Sequence, residues 1–137
     1  MDPKKILLIG ERSLSPDGYA YADSFYDILT GFGYDVKSLD PTQTPWWLRG
    51  TRSFGLSGME HKLFELWVNA HVIEVAQRFK PDVCFVLKGH VLHPKTLEVF
   101  KKNTRMKLVL LYPDNPFMFS NGNSNARVVN SLALYDV

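Results

Sequence analysis

The run Val83-Cys84-Phe85-Val86-Leu87 follows Pro81-Asp82 and stops at Lys88-Gly89-His90, and Pro94 then opens a helical pattern. A short apolar run bounded by turn signals reads as a strand buried on both faces. Such strands belong to parallel sheets covered by helices. Ligands of these sheets collect outside the carboxyl ends of the strands. Lys88, Gly89 and His90 are therefore the first candidates for function. Three further stretches repeat the pattern. Lys4 to Ile9 ends at Gly10, Tyr34 to Leu39 is the second, and Lys107 to Tyr112 is closed by Pro113-Asp114-Asn115-Pro116.

Helical periodicity fills the intervals. From Ala20 to Phe32, Ala22, Phe25, Leu29 and Phe32 recur at offsets of three and four, and Gly31 and Gly33 mark the end. A capping box, Ser57-Gly58-Met59-Glu60, opens a long helix over Met59 to Phe79. Its expected buried stripe is Leu63, Leu66, Trp67, Ala70, Ile73, Ala76 and Phe79, and Lys80-Pro81 stops it. Pro94 suits a first helical position, with the helix running to about Asn103. Ser124 to Leu134 reads as a last helix, and Tyr135-Asp136-Val137 as the opening of a fifth strand. Asp40 to Gly58 is irregular, and a loop that long is either functional or conceals an element.

This alternation predicts an α/β fold, a three-layer sandwich whose parallel sheet of about five strands has the order 2-1-3-4-5. Winding then reverses between the first and third strands. The crevice at the reversal is framed by Gly10–Gly18, by Lys88–Pro94 and, alongside, by Tyr112–Pro116.

Composition narrows the function classes. The 137 residues suit a single domain, 1–137, and 45% hydrophobic with 22% charged residues is an ordinary globular mix. A net charge of +2 makes no case for nucleic acid, which favours a concentrated basic face. The lone cysteine, Cys84, lies in a buried strand and reads as a small hydrophobe, so no disulfide is expected. Neither a signal peptide nor a membrane-spanning run is visible, so a cytoplasmic protein is expected. The first loop holds Gly10 and Gly18 but neither G-x-G-x-x-G nor a P-loop. Lys88-Gly89 stands where a receiver domain needs its phosphorylatable aspartate. Ser13 and Ser15 match a flavin phosphate loop poorly.

Lys80-Pro81-Asp82-Val83, Phe85 to His90 with Leu92, and Tyr112-Pro113-Asp114-Asn115-Pro116-Phe117 together resemble the amino-terminal domain of the spore-maturation (CgeB-like) glycosyltransferases. That family pairs a PDxxxxxKG strand end with a YPDDP strand end. Asn115 departs from it, standing where the family usually has aspartate. The resemblance implies a GT-B architecture, in which two Rossmann-like domains face each other across a cleft. The chain would be the amino-terminal, acceptor-side domain, and the carboxy-terminal domain, which mainly holds the nucleotide-sugar donor, would be a separate partner. No cofactor is then expected on this domain alone, and the chain by itself would not catalyse transfer. The acceptor is a glycan, a protein or a small molecule.

Each candidate residue has a chemical and a structural reading. Asp114 could deprotonate or orient an acceptor hydroxyl, or close a proline-flanked Asx-turn. Asn115 would bind substrate beside it, although an amide cannot share a proton as a second carboxylate would. Lys88 could offset anionic charge, Gly89 lets a ligand approach the backbone, and His90 is a candidate acid or base. Tyr112 would line the same lip. Glu11 is a second candidate base, and Arg12 could clamp an anion; both also fit a solvated loop. Trp46-Trp47-Leu48-Arg49 would suit stacking of Trp47 on a sugar ring or a membrane interface, and otherwise an aromatic plug under a long loop. His90 and His93 are a weak metal signal without cysteines or an acidic cluster, and no metal is expected. The alternative to an enzyme is a non-catalytic α/β module that binds a ligand or a partner. An apolar patch on such a domain could also make it a homodimer.

Overall fold

The computed structural model describes residues 4–13, 18, 20–49, 57–103, 105–113, 117 and 126–137. Four strands form the sheet: β1 (Lys5–Ile9), β2 (Asp35–Leu39), β3 (Val83–Leu87) and β4 (Lys107–Leu111). Their order is β2-β1-β3-β4 and every pairing is parallel. The helices are α1 (Tyr21–Gly31), α2 (Trp46–Arg49), α3 (Ser57–Phe79), α4 (Pro94–Asn103) and α5 (Ala126–Ser131), and a 3-10 turn, Leu132–Leu134, follows. The expected reversal between β1 and β3 is present.

The expected fifth strand is not. Asp136 N–H donates to Leu108 O at 2.7 Å, and Leu110 N–H donates to Val137 O at 2.9 Å. The carboxyl-terminal residues thus lie along the open edge of β4. They are irregular there because the Asp136 side chain turns back to the same edge, accepting from Leu108 N–H at 2.8 Å and from Lys101 Nζ at 2.7 Å.

Register sorts the side chains into two faces. Leu7 pairs with Cys84 and Cys84 with Leu108; Ile9 pairs with Val86. This face meets Val68, Val72, Val75 and Ala76 of α3 and Leu97 and Phe100 of α4 in the main core. The opposite face carries Leu8 and Phe85. There α1 covers it, with Phe25 edge-on to Phe85 at 4.9 Å between ring centroids. Gly10 allows α1 this close approach. A Cβ on it would stand 2.7 Å from Leu87 Cδ1 and 3.1 Å from Ala22 Cβ.

Two expected stripes are corrected. Phe32, the last residue of the apolar stripe expected on the first helix, is 77% exposed, because α1 ends at Gly31 and the chain turns there. On α3, Leu63, Leu66 and Ala70 of the expected stripe face solvent, Trp67, Ile73 and Phe79 pack half-buried against the core, and the buried face is Val68, Val72, Val75 and Ala76. The helix carries apolar residues on two sides, and only one side meets the sheet. In the irregular stretch, α2 is the concealed element. Its plug is Leu48, fully buried, whereas Trp46 is 81% and Trp47 46% exposed.

Asp82, in the resembling motif, does structural work. Its carboxylate accepts from Lys5 N–H at 2.8 Å. Its own N–H donates to Lys5 O, and Lys107 N–H donates to its carbonyl. One residue thereby sets the starting level of β1, β3 and β4. No described helix is long and apolar enough to cross a membrane.

Candidate functional site

At the carboxyl ends of the strands, where β1 and β3 diverge, lies a cavity of about 500 Å³. Glu11 reaches it from the loop after β1, and Tyr21 and Ser24 from the first turns of α1. Lys88, Gly89 and His90 reach it from the loop after β3. This is where doubly wound sheets place ligands, because loops from neighbouring strands part in opposite directions.

The turn after β3 has an unusual backbone. Lys88 N–H donates to Leu111 O at 3.0 Å, which extends the sheet by one bond. Gly89 N–H then donates back to Leu87 O at 2.8 Å, a three-residue turn centred on Lys88. Lys88 takes φ 65° and Gly89 φ 67°. A lysine in the left-handed region costs about 1–2 kcal/mol. Strain of that kind is found at functional sites, where the surrounding structure holds it in place. Gly89 is required twice over, by its φ and by space. A Cβ on it would stand 3.2 Å from Tyr135 Oη and 3.3 Å from Val86 Cγ1.

Beyond the glycine, the His90 Nε2 and Tyr112 Oη atoms are 2.9 Å apart, and the ring centroids 5.5 Å. Tyr112 follows Leu111, a residue of the cavity wall, but is not itself part of that wall. Its role in the structure is to hold the imidazole. Fixing one ring nitrogen by a hydrogen bond sets the orientation and tautomer of the other.

The loop is pinned from behind by α3. Asn69 is 7% exposed, and its amide is fully used. Nδ2 donates to Glu65 O and Val91 O, both at 2.8 Å. Oδ1 accepts from His93 N–H at 2.8 Å and Thr96 Oγ1 at 2.7 Å. One turn earlier, Glu65 accepts from both terminal nitrogens of Arg127, at 2.9 and 3.3 Å. Arg127 also donates to His90 O at 3.3 Å. These hydrogen bonds hold the Glu65 carboxyl below its ordinary range, against the opposing effect of desolvation. His61 and His93 flank the same carboxylate at 3.5 and 3.4 Å. Among the described residues, no group of three His, Cys, Asp or Glu side chains is placed to hold a metal ion.

Arg12 does not line the cavity. Its Nε donates to Asp23 Oδ1 at 2.7 Å, and its guanidinium lies 5.0 Å from the Tyr26 ring centroid. Asp23 also accepts from Ser13 N–H and Ala20 N–H. These two backbone donors and Arg12, with Ser13 the largest contributor, hold its carboxyl below the usual value. Arg12 is thus part of the clasp that fixes the first loop against α1. Asp40 completes the clasp by accepting from Arg12 N–H at 3.1 Å. Trp47 also stands outside the cavity wall. Asp114 and Asn115 lie outside the described residues.

The structure therefore brings Glu11, Lys88, Gly89 and His90 together, and turns Arg12 and Tyr112 to supporting contacts. Sequence reasoning missed Glu65, Asn69 and Arg127. A polar residue inside a helical stripe was the available signal for Asn69. Nothing local marks the meeting of Glu65 and Arg127, which are 62 positions apart. No family model, curated protein or solved structure significantly matches the chain.

Proposed function

We propose that the cavity receives a hydroxyl-bearing acceptor, and that the chain is the acceptor-side domain of a glycosyltransferase whose nucleotide-sugar donor is held by a second domain. The observation that carries this reading is the meeting of Glu11, Lys88, Gly89 and His90 around one cavity at the switch point. The motif resemblance over Lys80–Val83, Phe85–His90 with Leu92, and Tyr112–Phe117 supports it from the sequence side.

In the reaction, the acceptor oxygen forms a bond to the anomeric carbon. The bond from that carbon to the diphosphate oxygen breaks, and its electron pair leaves with the diphosphate. The hydroxyl proton passes to a base as the oxygen attacks. His90, oriented by Tyr112, is that base, and Glu11 on the facing lip orients the hydroxyl. Lys88, two positions before His90 in the same lining, offsets the departing charge.

The test is a transfer assay with a panel of nucleotide-sugars and alcohols, run on the chain alone and on the chain joined to a nucleotide-sugar-binding domain. The chain alone should be inactive, the two-domain protein active, and His90→Ala should lower the two-domain rate by ~10²–10⁴-fold. Robust transfer by the chain alone would overturn the two-domain reading. An unimpaired His90→Ala would remove His90 from the chemistry. The predominantly carbon wall of the cavity favours a second reading, an α/β module that binds its ligand without transforming it. Acceptor binding with no transfer in either format would select that reading.

A further inference from the structure

We infer that the alcohol taken by this cavity has an apolar body, aromatic or isoprenoid, and presents one hydroxyl to the lip that carries His90; this rests on the acceptor reading above. The described lining of the cavity is mostly carbon. Its polar side chains are few, Glu11 and Ser24 on the β1 side, Thr42 after β2, and Lys88 and His90 after β3, whereas Tyr21, Leu87, Leu111 and Pro113 belong to a wall that is mostly carbon. Tyr21 is 64% exposed and Leu111 36%, so large apolar groups face a concave, ligand-sized space with no described side chain filling it. Such concave apolar surface is characteristic of ligand pockets.

A sugar fits this division poorly. A hexose carries hydroxyls around its whole rim, and each one buried against carbon loses its water partners. The few polar side chains of the lining can repair some of these groups, but not those that lie against carbon. Among the described wall residues, Tyr21 alone offers an aromatic face on which a sugar could stack. A phenol or a prenyl alcohol has the matching distribution, with a single polar end and a carbon remainder. Its hydroxyl would reach His90 while its body covers Tyr21 and Leu111. The volume of about 500 Å³ is in the range that holds a bicyclic aromatic or a short prenyl chain.

The experiment is a titration of the chain, followed by ¹H–¹⁵N NMR shifts, with 4-methylumbelliferone, geraniol and methyl α-glucopyranoside. At least one of the two apolar alcohols should bind ~10-fold or more tightly than the glucoside and move the amides of Lys88, Gly89 and His90. Tyr21→Ser, at an exposed position that folding does not need, should weaken that alcohol by ~10-fold. Glucoside binding that equals or exceeds both apolar alcohols would overturn this inference and leave the acceptor reading standing. Tighter binding of an apolar alcohol that ignores Tyr21→Ser would place it elsewhere, and also overturns the inference. Shifts from none of the three at ~10 mM would remove the acceptor reading and this inference together.

Discussion

Gly89 shows how much one position carries. Its hydrogen atom faces Tyr135 and Val86 at distances that a methyl group would have to force open, and its φ is positive. Gly89→Ala should lose ~1–3 kcal/mol of stability, read from the urea midpoint at unchanged slope. A second residue-scale prediction concerns Asp23. Its carboxyl is held low in the folded protein by Ser13 and Ala20 N–H groups and Arg12. A depressed folded value contributes stability that is present above the unfolded carboxylate value, about 3.9. That stability is lost as pH falls through the folded value. Asp23→Asn should therefore be less stable near neutrality and show a shallower loss of stability below about pH 4, measured by circular dichroism across an acid series. The glycine of the KG pair was legible from its place after a strand. Arg12 was not, because an arginine beside a crevice looks the same in sequence whether it faces a ligand or an aspartate eleven positions on.

Among the elements, α3 is the most instructive. It presents one apolar side, Val68, Val72, Val75 and Ala76, to the sheet, and another, Met59, Leu63 and Leu66, to solvent. Both sides satisfy helical periodicity, so the pattern alone cannot tell which is buried. The structure separates them, and mutation should do the same. Val72→Ala should cost ~1–3 kcal/mol because it opens a cavity in the core. Leu63→Lys and Leu66→Lys should stay within ~0.5 kcal/mol of the parent, both read by chemical denaturation. A large loss in either leucine variant would show that the solvent-facing side is covered in solution. Asn69 stands at the border of the buried side, where it links the helix to the loop that carries His90. The strands were easier to read, since short apolar runs closed by glycine or proline have few alternatives.

For the whole molecule, the sheet seals its own centre. Cys84 is completely buried, and desolvation pushes its thiol up to about 12. A thiol in that state reacts only when the core opens. Labelling with a thiol reagent at about pH 8 should thus be slow in buffer and become fast across the urea transition. Fast labelling of the folded protein would contradict the burial of β3. The fifth strand failed at this same scale. Apolar character in Tyr135 and Val137 brought the chain end to the β4 edge, and the Asp136 carboxylate then took the backbone donor of Leu108. What the sequence determined alone were the four strands, the extents of the long helices and the reversal point, because these follow from local periodicity and turn chemistry. Tertiary structure alone decided which side of α3 is buried, that Arg12 belongs to a clasp, and that Glu65, Asn69 and Arg127 stand behind His90. Those choices depend on distances between residues far apart in the chain, and no local pattern encodes such distances.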